Sequence, residues 1–186
     1  MYYHCSPVSG LTELLPHKPQ HFDKDALVYM TTSLPMALMY GIRNFEYTYG
    51  YTKDGQIYYE EYFPDALRIL YGGKSASLYE CAPPETEQTQ IPNEVVSRLP
   101  VRICREIPIP DVLQALLEQE QKGALVIRRY EQLSARTMEW ILQAEKNEIK
   151  KRDLLHVSSP MAEYMKLRYP QAWEAAILYE KKTPEA

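Results

Sequence analysis

The groups in this chain with chemistry to offer crowd toward one end. His4 stands in the aromatic run Tyr2-Tyr3-His4-Cys5-Ser6, and 12 of the 16 tyrosines fall within the first 79 residues, against 3 phenylalanines in the whole chain. A histidine at a strand end orients a polar ligand by donating a hydrogen bond, with no need to titrate. Tyrosine rings either fill a half-wet sheet or wall a cleft that stacks flat ligands. By residue type alone the plainer roles are the commoner ones: a structural hydrogen bond for His4, core packing for Tyr29 and Tyr40, and a solvated carboxylate for Glu94. His17 and His21 have the spacing of two metal ligands on a helix, but Pro16 and Pro19 exclude a regular helix there, so no metal site is expected. The three cysteines, Cys5, Cys81 and Cys104, are odd in number and lack Cys-x-x-Cys spacing. With no basic-then-apolar leader, they predict reduced thiols in a cytoplasmic chain.

Short elements must position these groups. Met1–Cys5 reads as a strand ended by Pro7, Ser9 and Gly10, and Ala26–Thr31 as a second strand after a loop. Ser33 before Pro35 opens a short helix through Met36, Leu38, Met39 and Tyr40 that ends near Asn44. Phe45, Tyr47, Tyr49 and Tyr51 alternate onto one face, and Asp54-Gly55 turns the chain back into Ile57–Tyr62, a hairpin signal. A helix over Pro64–Tyr71, closed by Gly72-Gly73, leads to strands over Ser77–Ala82, Asn93–Ser97 and Val101–Glu106. Beyond Pro108 the apolar period lengthens to that of helices: one capped by Asp111, one over Leu125–Leu133, one opened by Ser134, and two begun by Ser159-Pro160 and Tyr169-Pro170. The expected fold class is therefore α+β, with a sheet unit over residues 1–110 and a helical extension over 111–186 packed on it. In the extension Leu116, Leu125, Met138, Ile141 and Trp173 should face inward.

The order of the first elements resembles the ADP-ribosyltransferase fold of the poly(ADP-ribose) polymerase and diphtheria-toxin type. In that family a first strand ends in His-Gly-Ser or His-Gly-Thr, a second carries a tyrosine, and the helix that follows ends in another. Here His4-Cys5-Ser6, Tyr29 in Val28-Tyr29-Met30, and Tyr40, eleven residues on, occupy those places. The resemblance covers roughly Tyr2 to Glu106. It implies a pair of small, roughly perpendicular antiparallel sheets with a cleft between them. It also implies NAD as substrate, held by His4, Cys5, Ser6, Tyr29 and Tyr40. Glu94, at the start of Asn93-Glu94-Val95-Val96-Ser97 with Pro100–Ile103 as the partner strand, takes the place of the family glutamate, with Glu80, Glu60 and Glu61 as rivals. Glu94 and His4 are then the catalytic pair. The chain departs from the family where Cys5 replaces a glycine, Ala37 a serine that bonds the nicotinamide amide, and Ala26-Leu27-Val28 a glycine-bearing approach to the strand tyrosine.

Composition excludes other classes. No Gly-x-Gly-x-x-Gly, Walker loop, Gly-x-Ser-x-Gly or His-Glu-x-x-His is present. No apolar run approaches the roughly 18 residues of a membrane span. A net charge of −4 opposes a general nucleic-acid footprint. RNA 2′-phosphotransferase is disfavoured because that family's arginines are missing around His4. Two functions remain: ADP-ribosyl transfer from NAD to a protein or nucleic-acid acceptor, or a non-catalytic module of the same fold that binds a nucleotide or peptide while the helical tail holds a partner.

Overall fold

The computed structural model describes residues 1–18, 25–44 and 46–182; Pro19, His21 and Phe45, which figure in the expectations above, lie outside them. Strands β1 (Tyr2–Ser6), β2 (Glu13–Leu14) and β3 (Val28–Thr31) lead to helix α1 (Leu34–Met39). There follow β4 (Tyr49–Tyr51), β5 (Ile57–Glu60), α2 (Ala66–Tyr71), β6 (Ala76–Ala82), β7 (Glu87–Gln88), β8 (Glu94–Ser97) and β9 (Val101–Ile109). Helix α3 (Val112–Gln121), β10 (Val126–Arg128) and helices α4 (Ala135–Lys151), α5 (Pro160–Arg168) and α6 (Pro170–Lys182) complete the order. The chain divides into two compact units, Met1–Tyr59 with Leu67–Ile127, and Glu60–Ala66 with Arg128–Ala186. No helix among the described residues is long and apolar enough to cross a membrane.

The first unit is α+β. Its main sheet has seven antiparallel strands in the order β2-β9-β6-β1-β3-β8-β7, and a second sheet has the order β10-β5-β4. The expected pair of antiparallel sheets is present, one wide with seven strands and one narrow with three. The wide sheet has a seam. Tyr2 to Ser6 of β1 pair in register with Cys81 to Ser77 of β6, and Val28 to Thr31 of β3 with Ser97 to Glu94 of β8. Between β1 and β3 a single residue pair, Tyr3 with Thr31, is in register. Two well-zipped sub-sheets are therefore joined at one point. Glu94 pairs with β3 and not with the Pro100–Ile103 stretch, which lies in β9 against β6 and β2. Strand pairing is non-local, and adjacency in sequence gave the wrong neighbour for β8.

Alternation sorts the side chains of the wide sheet onto two faces. Cys5 and Leu78 pack with Met36, Leu38 and Met39 of α1, Tyr71 of α2, and Val112 and Leu116 of α3. Tyr79, Cys81, Met30, Val95 and Val101 form a second cluster with Leu14. Helix α3 therefore belongs to the core of the first unit, which runs on past residue 110. The Leu125–Leu133 stretch is not helical: Val126–Arg128 is a strand beside β5, and Tyr130–Gln132 makes a 3-10 turn. Consecutive β-branched residues suit a pleated edge as well as a buried helix, and the available strand decides between them.

In the second unit, α4, α5 and α6 pack together. Ser134 and Ser159 cap α4 and α5 by accepting from Thr137 N and Ala162 N, each at 3.1 Å. Ile141 is buried and Met138 and Trp173 are half-buried; in the first unit Leu116 and Leu125 are buried.

Candidate functional site

A cavity of about 350 Å³ lies at the seam between β1 and β3. His4 and Cys5 line it from β1, Tyr29 from β3, Tyr40 from the end of α1, and Glu94 from the start of β8. Five of the six residues singled out by sequence thus meet at one place. Ser6 is not in its wall; its hydroxyl accepts from Val8 N at 3.1 Å and shapes the turn after β1. Among the rival carboxylates, Glu80 is absent from the wall. Glu60 pairs with Arg128 at 3.1 Å and Glu61 accepts from Tyr130 N at 3.1 Å, all within the second unit.

The seam fixes the tautomer of His4. Its Nδ1 lies 3.0 Å from the carbonyl oxygen of Tyr29. A carbonyl only accepts, so Nδ1 carries the proton, and in the neutral ring Nε2 is an acceptor. The free ring nitrogen of neutral His4 can therefore accept a hydrogen bond and cannot donate one, the opposite of the donor role expected from sequence. Burial lowers the His4 pKa, the bond to Tyr29 opposing it. Unfolding below about pH 6.5 thus takes up a proton at this side chain. The sign follows: stability is full above the unfolded value and declines as pH falls from there toward the lower folded pKa, by at most about 1.4 kcal/mol per pH unit. Urea titrations from pH 7.5 to 5.5 should show this decline in the wild type, and His4→Gln should flatten it. Equal slopes in both would place the proton uptake elsewhere.

Glu94 owes its position to a tight turn. Asn93 has a left-handed φ of 63°, a conformation asparagine tolerates better than most side chains. Its carbonyl accepts from Thr32 N at 3.0 Å, tying the turn to the end of β3. Glu94 is 8% exposed, its carboxylate accepts from Thr89 Oγ1 at 2.9 Å, and the residue lines the cavity.

Tyr40 follows α1 directly. Ser33 caps that helix by accepting from Met36 N, and the helix ends at Met39, earlier than expected, with Tyr40 as its C-cap. The Tyr40 ring stacks on Tyr47, centroids 4.5 Å apart, and its hydroxyl lies 3.2 Å from that of Tyr49. Burial, then the Tyr49 hydroxyl and the nearby Glu94 carboxylate, push the Tyr40 pKa up, so it remains a neutral hydroxyl. Tyr29, by contrast, is 37% exposed and stands at the mouth.

Cys5 has a place for the side chain that a glycine would lack. A Cβ built on Gly41 would stand 2.8 Å from Cys5 Sγ and 3.1 Å from Ala76 Cβ, so the glycine just past α1 makes the room. Burial raises the Cys5 thiol to about 12, which keeps it an inert packing group. Gly41→Ala should overpack this contact and cost about 1–3 kcal/mol. With Cys5→Gly already in place, Gly41→Ala should cost less, because the clash with Sγ is gone while the contacts with Ala76 Cβ and the Leu38 carbonyl remain, and a double-mutant cycle by urea unfolding measures that coupling.

Sequence reasoning missed Gly41, Thr89 and Asn93, which position the site without lining it, and Tyr3, Met30, Thr31, Met36 and Ile91, which complete its wall. The Pro92-Asn93 pair was the available signal for the turn. Among the described residues no cluster of His, Cys, Asp or Glu could hold a metal. The cavity offers one carboxylate, one imidazole acceptor and flat phenolic walls. No family model matches this sequence, and comparison with curated proteins finds no match.

Proposed function

We propose that the first unit is an NAD-dependent ADP-ribosyltransferase, with nicotinamide and its ribose in the seam cavity. The observation that carries this reading is the convergence of His4, Tyr29, Tyr40 and Glu94 from four separate elements on one cavity. Breaking the bond between ribose C1′ and nicotinamide N1 builds positive charge on the sugar, and a carboxylate beside it stabilises that charge. Glu94 is suited to this task and to accepting from a ribose hydroxyl. His4 Nε2 accepts from another hydroxyl, and Tyr40 and Tyr29 wall the nicotinamide ring. The electron pair of the broken bond leaves with nicotinamide, which departs neutral, and an acceptor nucleophile completes the sugar.

Calorimetry with NAD and an assay of nicotinamide release test the reading. Binding with slow release is expected from the wild type, and no binding at millimolar NAD would overturn it. A second reading keeps the fold and removes turnover. It is favoured by Ala37, whose methyl lines the cavity where the resembled family presents a serine hydroxyl; the lost hydrogen bond is worth about 0.5–1.5 kcal/mol of binding. NAD binding with no release in any condition decides for that non-catalytic module.

A further inference from the structure

Beside the seam cavity runs a cleft of about 550 Å³, and the two share Tyr40 and Ile91 as a common wall. Three further tyrosines line it, Tyr47, Tyr49 and Tyr51, carried by β4 and the segment before it. All three are half-buried, so each keeps surface at the cleft. Their rings are fixed. Tyr47 stacks on Tyr40, Tyr49 meets Tyr40 edge-on at 6.1 Å, and the Tyr51 hydroxyl donates to the Pro92 carbonyl at 2.6 Å. Anchored aromatic walls recognise flat rings at low entropic cost. No lysine or arginine is among the described residues that line the cleft, and Glu46 adds a carboxylate. A phosphate-bearing ligand would find no counter-charge there.

The geometry points to this cleft as the acceptor site for a small flat aromatic compound that carries a hydroxyl and no phosphate, an inference that rests on the ADP-ribosyl reading of the adjoining cavity. The acceptor oxygen forms a bond to ribose C1′ as the C1′–N1 bond breaks. The electron pair of the broken bond leaves with nicotinamide, and the hydroxyl proton passes to water. Such an acceptor differs in kind from the macromolecule that the sequence led us to expect.

The probe is 7-hydroxy-4-methylcoumarin, titrated by fluorescence into the full chain without NAD. Wild type should bind it, and Tyr47→Leu and Tyr51→Leu should each weaken binding about tenfold or more, the scale of one stacking surface. Cyclohexanol, a hydroxyl with no flat ring, should not displace it. With NAD present, mass spectrometry of the wild-type reaction should reveal a coumarin–ADP-ribose adduct, a readout that needs no variant to fold. NAD binding without coumarin binding, or coumarin binding indifferent to both substitutions, overturns the cleft assignment while leaving the cavity's reading intact. Displacement of coumarin by a single-stranded oligonucleotide overturns the exclusion of phosphate. Tyrosine-dependent coumarin binding by a chain that binds no NAD overturns the acceptor role through failure of the adjoining cavity's reading.

Discussion

Glu94→Gln is expected to lower nicotinamide release by about 100-fold or more while leaving NAD affinity nearly unchanged. The amide is isosteric, and its carbonyl oxygen still accepts from Thr89 Oγ1 and from a ribose hydroxyl, so the ground state keeps its contacts. On the proposed reading, what it loses is the negative charge beside the sugar as the C1′–N1 bond stretches. An interaction made mainly in the transition state appears in the rate and not in binding, and about 2.7 kcal/mol corresponds to 100-fold. Tyr40→Ala should divide the other way, because it removes a ring surface that ligand meets already in the ground state. Calorimetry for affinity, with single-turnover release for the chemical step, separates the two. Equal loss of affinity in both variants would make Glu94 a binding group only.

Most of the residues that meet at the cavity were legible from sequence because they lie on local signals in a fixed order. His4 lies inside the first strand and not at its end as expected, Tyr29 lies within another, and Tyr40 follows a helix announced by Ser33 and Pro35. Caps were equally readable: Ser33, Asp111, Ser134 and Ser159 all accept the hydrogen bonds their types and places suggest. The Asp54-Gly55 turn is real too, with Gly55 at a φ of 84°. Long-range pairing was not legible. Nothing in Asn93–Ser97 says that it will lie beside β3 and β7, since Val95 and Val96 would pack equally well against any apolar strand. The seam is a still subtler product: β1 and β3 touch in register only at Tyr3 and Thr31, and the His4 ring bonds the Tyr29 carbonyl across it. Gly41 escaped notice because its reason is a three-dimensional one, the closeness of Cys5 Sγ.

The limit of the first unit carries the other large prediction. A chain ending at Pro110 should give no cooperative unfolding transition and bind no NAD, although it contains every residue proposed to touch the ligand. Helix α1 supplies Met36 and Ala37 to the cavity and positions Tyr40, and its other face is buried against α3. Val112 and Leu116 are both 0% exposed in that contact, and Val112 N donates to the Lys74 carbonyl at 2.9 Å. Removing α3 would take Val112 and Leu116 out of the cluster that buries Leu38, Met39 and Tyr71, and open that core to water. In the full chain, Leu116→Ala isolates the effect: it should cost about 3 kcal/mol, within the range for a fully buried leucine. NAD affinity should fall less than stability does, because the cavity wall survives in molecules that remain folded. Denaturant unfolding and calorimetry on the same samples compare the two losses. A chain ending at Pro110 that unfolds cooperatively and still binds NAD would make α3 a dispensable cover, and would return the boundary to the place where the change in apolar period suggests it.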